Sequence, residues 1–416
     1  MCAVIPGMKL RTWLASAVLA TTSLLGIGCD DGTSSSSDDI TDVKHTDVER
    51  QSIGNCWLYA EASWVESMNY SATNTKFDIS QSYWTYWHWF SQIVREQTGA
   101  IETGGFYSTA NEIITEKGLV AEKDFITEDT LAEMSTAQSR ALSKLDGELK
   151  TGRLKDVKSR KNGKLVRQVM DEAWGLKPEV RKWMDKAFGT TGTRTFLTSA
   201  SKTGTPVLRG RDFKVQYASF NGETADKIDT TLDQAIQEWS QESYPYWKEG
   251  RRDFQIRVQR ALHAQQPVII TWSVDFNAME GQPGAKQGSF NLGTLNRVGT
   301  GGRQGGHMTV LEDYEAVTTQ FGTLKAGVTL DATLEADAAK LDAALLPSSK
   351  VSFFRIKNSW GALRDDRASA PGFPGYHDLD MDYLNGPIPW CGEGQTGSAC
   401  KGSEVPFSDV ILPPGF

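Results

Sequence analysis

Residues 50–64 read RQSIGNCWLYAEASW, with a cysteine directly before a tryptophan at the entry to an apolar-periodic segment. Trp57, Ala60, Trp64 and Met68 recur on one side and Leu58, Ala62 and Val65 on another, while Glu61, Glu66 and Asn69 fill the remainder. That spacing predicts a largely buried helix. Gly54 and Asn55 suit a tight entry, so Cys56 falls in the first turn, where unpaired backbone N–H groups favour thiolate and can hold an oxyanion. A small buried cysteine is the competing reading.

Upstream, the chain from Met8 reads MKLRTWLASAVLATTSLLGIGC, a basic start, an apolar run and a small residue before Cys29. This is the pattern of an export signal over residues 1–28, with Met8 as an alternative start. Residues 29–47 carry small and acidic side chains and predict a disordered tether. A folded body is expected over 48–416, long enough for a large core. The net charge of −8 argues against a nucleic-acid partner.

Of the five cysteines, Cys2 and Cys29 belong to the leader. Cys391 and Cys400 bracket a short loop, and export would permit a disulfide between them, leaving Cys56 as the free thiol.

A nucleophilic cysteine needs a base and a group to aim it. Of the five histidines, His45 falls in the tether, His88 in the aromatic run SYWTYWHWF, His263 on a charged helix and His377 in a late strand. His307 differs. It stands in GGRQGGHMTVLEDY, where glycines give way to an apolar strand pattern, at the mouth of that strand. Further on, VSFFRIKNSWG predicts a buried strand ending in Asn358, Ser359, Trp360 and Gly361, which supplies an amide and an aromatic shield.

The order Cys56-Trp57, Gly306-His307, Asn358-Ser359-Trp360-Gly361 resembles the papain-like cysteine peptidases, which the handling of a Cys-His-Asn triad typifies. DISQSYWTYWHWF, the run from Glu102 to Phe125 with Gly104 and Gly105, ALHAQQPVIITWSVDF, and GFPGYHDLDMDYL as a final hairpin are similar to family segments in the same order. LGIGC before Cys29 likewise resembles the lipobox of bacterial lipoproteins, although Gly26 stands where leucine is usual.

The first resemblance implies an α+β fold of two lobes, one helical and one antiparallel and β-rich, with the active-site cleft between them. It implies Cys56 as nucleophile, His307 as base, Asn358 as the group orienting it, Trp360 as shield, Gly104 and Gly105 lining the substrate groove, and Met308 shaping a specificity pocket. Gln51 is the candidate oxyanion donor, one place nearer the nucleophile than is usual, and Ile53 replaces a familiar cysteine. The intervals from Cys56 to His307 and from His307 to Asn358 are longer than usual. They hold a charged helical insertion over about 127–252, expected to pack on the helical lobe, and a smaller one over about 318–349 with a surface helix.

The expected partners are therefore a peptide or protein substrate and, through lipid on Cys29, a membrane. The expected location is exported. No cofactor or metal is implied. Acyl transfer by the same triad and a silent peptide-binding module are the alternatives.

Overall fold

The computed structural model describes residues 43–200, 203–299, 302–328, 330–362, 364, 366–391 and 402–416. Cys29, the leader and the tether up to residue 42 lie outside the described residues, as does Cys400. Residues 43–47 correct the expected tether. Val43 and His45 are fully buried, and the Thr46 hydroxyl donates to the Glu66 carboxylate at 2.5 Å, so polar residues that look solvated in sequence are packed.

One lobe is helical. Its first helix, α1 (Cys56–Thr73), ends where Asn74 takes the left-handed conformation (φ 53°) and returns its N–H to Tyr70. The next, α2 (Gln81–Val94), starts because the Ser80 hydroxyl accepts from the Tyr83 N–H, and nearly all of its side chains are buried. Around them lie α3 (Tyr107–Lys117), the single turn α4 (Glu122–Phe125), α5 (Thr136–Lys150), the turn α6 (Val157–Arg160), α7 (Gly163–Trp174) and α8 (Pro178–Phe188). Trp84, Trp87, Trp89 and Trp174 share one core with α1. The predicted insertion thus packs against α2 through α5 and α7.

Not all of that insertion is helical. β1 (Lys214–Phe220) and β2 (Ala225–Thr231) form an antiparallel hairpin, α9 (Leu232–Glu238) follows, and β3 (Ser240–Ser243) joins the main sheet. The alternation in KVQYASF, with Val215 and Tyr217 inward, is a strand pattern.

The other lobe opens with α10 (Arg251–His263), followed by β4 (Ile269–Asp275), β5 (Ser289–Phe290), α11 (Leu292–Val298), β6 (Gln304–Thr318), β7 (Gly322–Leu324), α12 (Glu335–Ala344), β8 (Lys350–Lys357), β9 (Tyr376–Asp380), α13 (Met381–Asn385), β10 (Ile388–Trp390), β11 (Gly402–Glu404) and β12 (Phe407–Leu412). Among the described residues the main sheet runs β3-β12-β4-β6-β8-β9-β5, with β7 on β6, antiparallel except for β5 on β9. The sequence expected a final hairpin at GFPGYHDLDMDYL; the structure turns from β9 into the short helix α13.

The middle strands β4 and β6 are buried almost without interruption, because both faces of the sheet are covered. Helix α1 packs against β6 on one side and α10 on the other. This sets the start of α1 beside the start of β6. The result is the expected α+β arrangement of two lobes meeting at that contact. Among the described residues no helix is long and apolar enough to cross a membrane.

Candidate active site

Cys56 is the first residue of α1 and its side chain is half-buried. The preceding Asn55 makes no side-chain cap. Its amide instead donates to Thr85 Oγ1 and to Gln138 Oε1, each at 3.0 Å. The backbone N–H groups of Cys56 and Trp57 therefore face the thiol, while that of Leu58 donates to the Asn55 carbonyl at 3.0 Å. Gln138 belongs to α5 in the insertion and also donates to the hydroxyls of Tyr59 and Ser82, so the insertion holds the turn that carries Cys56.

Trp57 is buried and its Nε1 donates to the Thr103 carbonyl at 2.9 Å, which ties α1 to the loop carrying Gly104 and Gly105. A Cβ on Gly105 would meet the Trp57 ring at 2.5 Å, whereas one on Gly104 would meet open space. Both glycines line a cavity of about 440 Å³ together with His88, Phe106 and Thr109.

His307 lies near the start of β6, three residues after Gln304, and opposite Trp272 of β4. Its Nε2 is 2.8 Å from Asn358 Oδ1. That same Oδ1 accepts from the Ser359 N–H at 2.8 Å, which identifies it as the carbonyl oxygen and makes Nε2 the protonated ring nitrogen. Nδ1 is left as the acceptor. Trp360 stacks on the imidazole at 4.8 Å between centroids and 18° between planes, and is itself buried.

The Asn358 amide nitrogen faces His377 Nδ1 at 3.3 Å. In sequence, His377 is only part of a late strand. No local signal connects it to Asn358, because the contact runs between β8 and β9.

Met308, the residue after His307, reaches the Cys56 thiol through its backbone. Burial pushes the Cys56 thiol above the usual thiol range, against hydrogen bonds from the backbone of Met308, Trp57 and Cys56 that favour thiolate. Burial also pulls His307 down to about 4; the Asn358 bond opposes this and the Arg367 charge adds to it. Both shifts favour a neutral thiol and a neutral imidazole at rest. Met308 itself is buried in the helical core.

Gln51 acts as a strap. Its backbone N–H donates to the Ser359 carbonyl at 2.9 Å, its Oε1 accepts from the Ser359 hydroxyl at 2.6 Å, and its Nε2 donates to Ile53 O at 2.7 Å. One N–H of that amide is thereby committed, leaving one for a ligand.

Cys391 is disulfide-bonded. Carboxylate oxygens of Glu49, Asp78 and Glu122 come within 4.8 Å of one another, the described grouping that could hold a cation; burial, followed by its acidic neighbours, lifts Glu122 to about 9.

No family model matches the chain, and no curated protein matches it. Among solved structures, PepW from Lactobacillus rhamnosis HN001 is 11% identical with a TM-score of 0.39, over 89% of this chain and 80% of that one. Xylellain, a cysteine protease from Xylella fastidiosa, is 11% identical with a TM-score of 0.33, over 91% and 87%. The Carica candamarcensis cysteine protease CMS1MS2 is 13% identical with a TM-score of 0.28, over 89% and 93%.

Proposed function

We propose that this chain is a cysteine peptidase, with Cys56 as nucleophile, His307 as general base and acid, and Asn358 as the orienting amide. The observation that carries the reading is the 2.8 Å contact between His307 Nε2 and Asn358 Oδ1 under the Trp360 ring. It leaves Nδ1 as acceptor in a strand whose next residue bonds the Cys56 sulfur through its backbone.

In the reaction, Sγ attacks the peptide carbonyl as its proton passes to His307 Nδ1, forming the C–S bond. The imidazolium then gives that proton to the leaving amine as the C–N bond breaks. Water hydrolyses the thioester. As the proton moves, charge separates between sulfur and imidazole. The first-turn N–H groups of α1 and the remaining N–H of Gln51 offset it by holding sulfur and oxyanion. Gly104 leaves the groove wall without a side chain, so an extended peptide can reach its backbone, and Gly105 lets Trp57 pack behind it.

We further propose export, with lipid on Cys29 as the anchor and a disulfide between Cys391 and Cys400.

The test is mass-spectrometric digestion of a peptide mixture by residues 43–416, beside Cys56→Ala. Cleavage that Cys56→Ala abolishes supports the reading. Acyl exchange onto added amines with no hydrolysis would replace it with a transferase, and binding without turnover would leave a silent module.

A further inference from the structure

The outer face of the Trp360 shield is occupied. The Arg367 guanidinium lies 4.3 Å above the Trp360 ring and 4.7 Å above that of Phe276, and Arg303 lies 4.6 Å above the Phe276 ring. Phe276 and Trp360 are 5.2 Å apart. A continuous stack thus runs from the base, through the shield, to two cations.

These cations are poorly neutralised although the chain is acidic overall. The ion pair of Arg367 among the described residues is a 4.0 Å approach to Asp366, and Arg364 already engages that carboxylate at 2.7 and 2.6 Å. The Glu133 carboxylate accepts from the Ala362 N–H. Arg303 and Arg50 have no ion pair among the described residues. Burial, then the like charges of Arg364, Arg303 and Arg50, pull Arg367 down to about 10 despite Asp366. A guanidinium with a side chain only 13% exposed, whose ion pair among the described residues is a shared carboxylate at 4.0 Å, gains from an anionic ligand.

Position decides what would visit. His307 returns its proton to the leaving amine, so the part of a substrate after the scissile bond must lie beside His307, on the side roofed by Trp360. The acyl part lies toward Gly104 and Gly105. Beyond Arg367 a second cavity of about 540 Å³ opens, lined by Arg364, Asp366, Arg367, Met279 and Phe373, with Asp366 turned to Arg364.

We propose that Arg367, seated on Trp360 and Phe276 and assisted by Arg303, forms a carboxylate-binding subsite for the leaving group of the substrate. Preferred substrates then carry an acidic side chain, or a free α-carboxylate, directly after the scissile bond. Guanidinium held flat on aromatic rings keeps its N–H edge free for bidentate carboxylate contact. The proposal rests on the peptidase reading.

The experiment compares three peptides that share one acyl part. The first has glutamate after the scissile bond with an amidated C-terminus, the second has glutamine there, and the third has a single leaving residue with a free carboxylate. The expected result is kcat/KM roughly tenfold higher for the glutamate peptide than for the glutamine peptide. Arg367→Met should collapse that ratio, and Arg367→Lys should restore part of it. Preference for the third peptide assigns the α-carboxylate as the natural anion, and preference for the first assigns the side chain. Cys56-dependent cleavage indifferent to this charge, or a ratio that survives Arg367→Met and Arg303→Ala, overturns the subsite and leaves the peptidase reading standing. No Cys56-dependent cleavage of any peptide overturns that reading instead. The patch is then judged by calorimetric titration of the glutamate peptide into Cys56→Ala, where equal affinity with and without Arg367→Met overturns it.

Discussion

Two adjacent glycines should respond very differently to the same added methyl group. A Cβ at Gly105 would come within 2.5 Å of Cε2 and Cζ2 of Trp57, inside any tolerable contact, and that ring is 1% exposed and flanked by packed helices. It cannot yield toward solvent. Overpacking of this kind costs about 1–3 kcal/mol. If the indole shifts to relieve it, the bond from Nε1 to Thr103 O is lost at about 1 kcal/mol more. Gly105→Ala should therefore destabilise by about 2–4 kcal/mol. Gly104→Ala, with nothing within 4 Å of its Cβ, should stay within about 0.5 kcal/mol of wild type. Trp57 directly follows Cys56, so the Gly105 variant should also react more slowly with a small alkylating reagent. Urea unfolding followed by tryptophan fluorescence gives both stabilities. Equal midpoints for the two variants would refute the packing of the groove loop against Trp57.

The orienting bond makes a kinetic forecast: Asn358→Ala should lower kcat about 10- to 100-fold, with KM changed less than about threefold, because the bond strengthens as the imidazole gains charge. A rise in KM at unchanged kcat would place Asn358 in substrate binding instead. For acid pH, the base must be neutral to act, so the acid limb of kcat/KM for an uncharged peptide should fall near His307's depressed value of about 4, and a limb near 6.5 would contradict that burial. Stability should respond to pH through Glu66, which burial and Asp78 raise to about 8. The fold binds that proton more tightly than the unfolded chain does, so its stabilisation is complete below the ordinary carboxyl range and is lost as pH rises toward 8. Between about pH 7.5, above the ordinary histidine range, and about pH 8.5, the wild-type melting temperature should fall relative to that of Glu66→Gln; parallel profiles for the two would count against it.

The readable parts of this molecule are those with a short-range signal. Gly54 and Asn55 before an apolar-periodic run mark the start of α1, and the apolar residues Met308, Val310 and Leu311 of β6 and Val351, Phe353, Phe354 and Ile356 of β8 mark strands of the sheet. The placement of His307 against Asn358 was legible from their contexts. What escaped has no local pattern. His45 and Thr46 look like tether, and only Glu66 and Lys357, distant in sequence, make Thr46 part of the interior. Gln138 meets Asn55 across the insertion, and His377 meets Asn358 across a strand pair. The hairpin of β1 and β2 was hidden because β2, ADKIDTT, is mostly exposed and carries no apolar alternation. Gln51 was read for its type. Its partners Ile53 and Ser359 show that the amide also straps the entry loop to the residue after Asn358.

The central claim is that His307 activates Cys56 toward acyl chemistry, and the intact mass of residues 43–416 after exposure to a peptidyl epoxide tests it most directly. A single adduct on the wild type, located on Cys56 and lost in both Cys56→Ala and His307→Ala, is the predicted result. An unmodified wild type under reducing conditions, or an adduct that forms equally fast without His307, would contradict it.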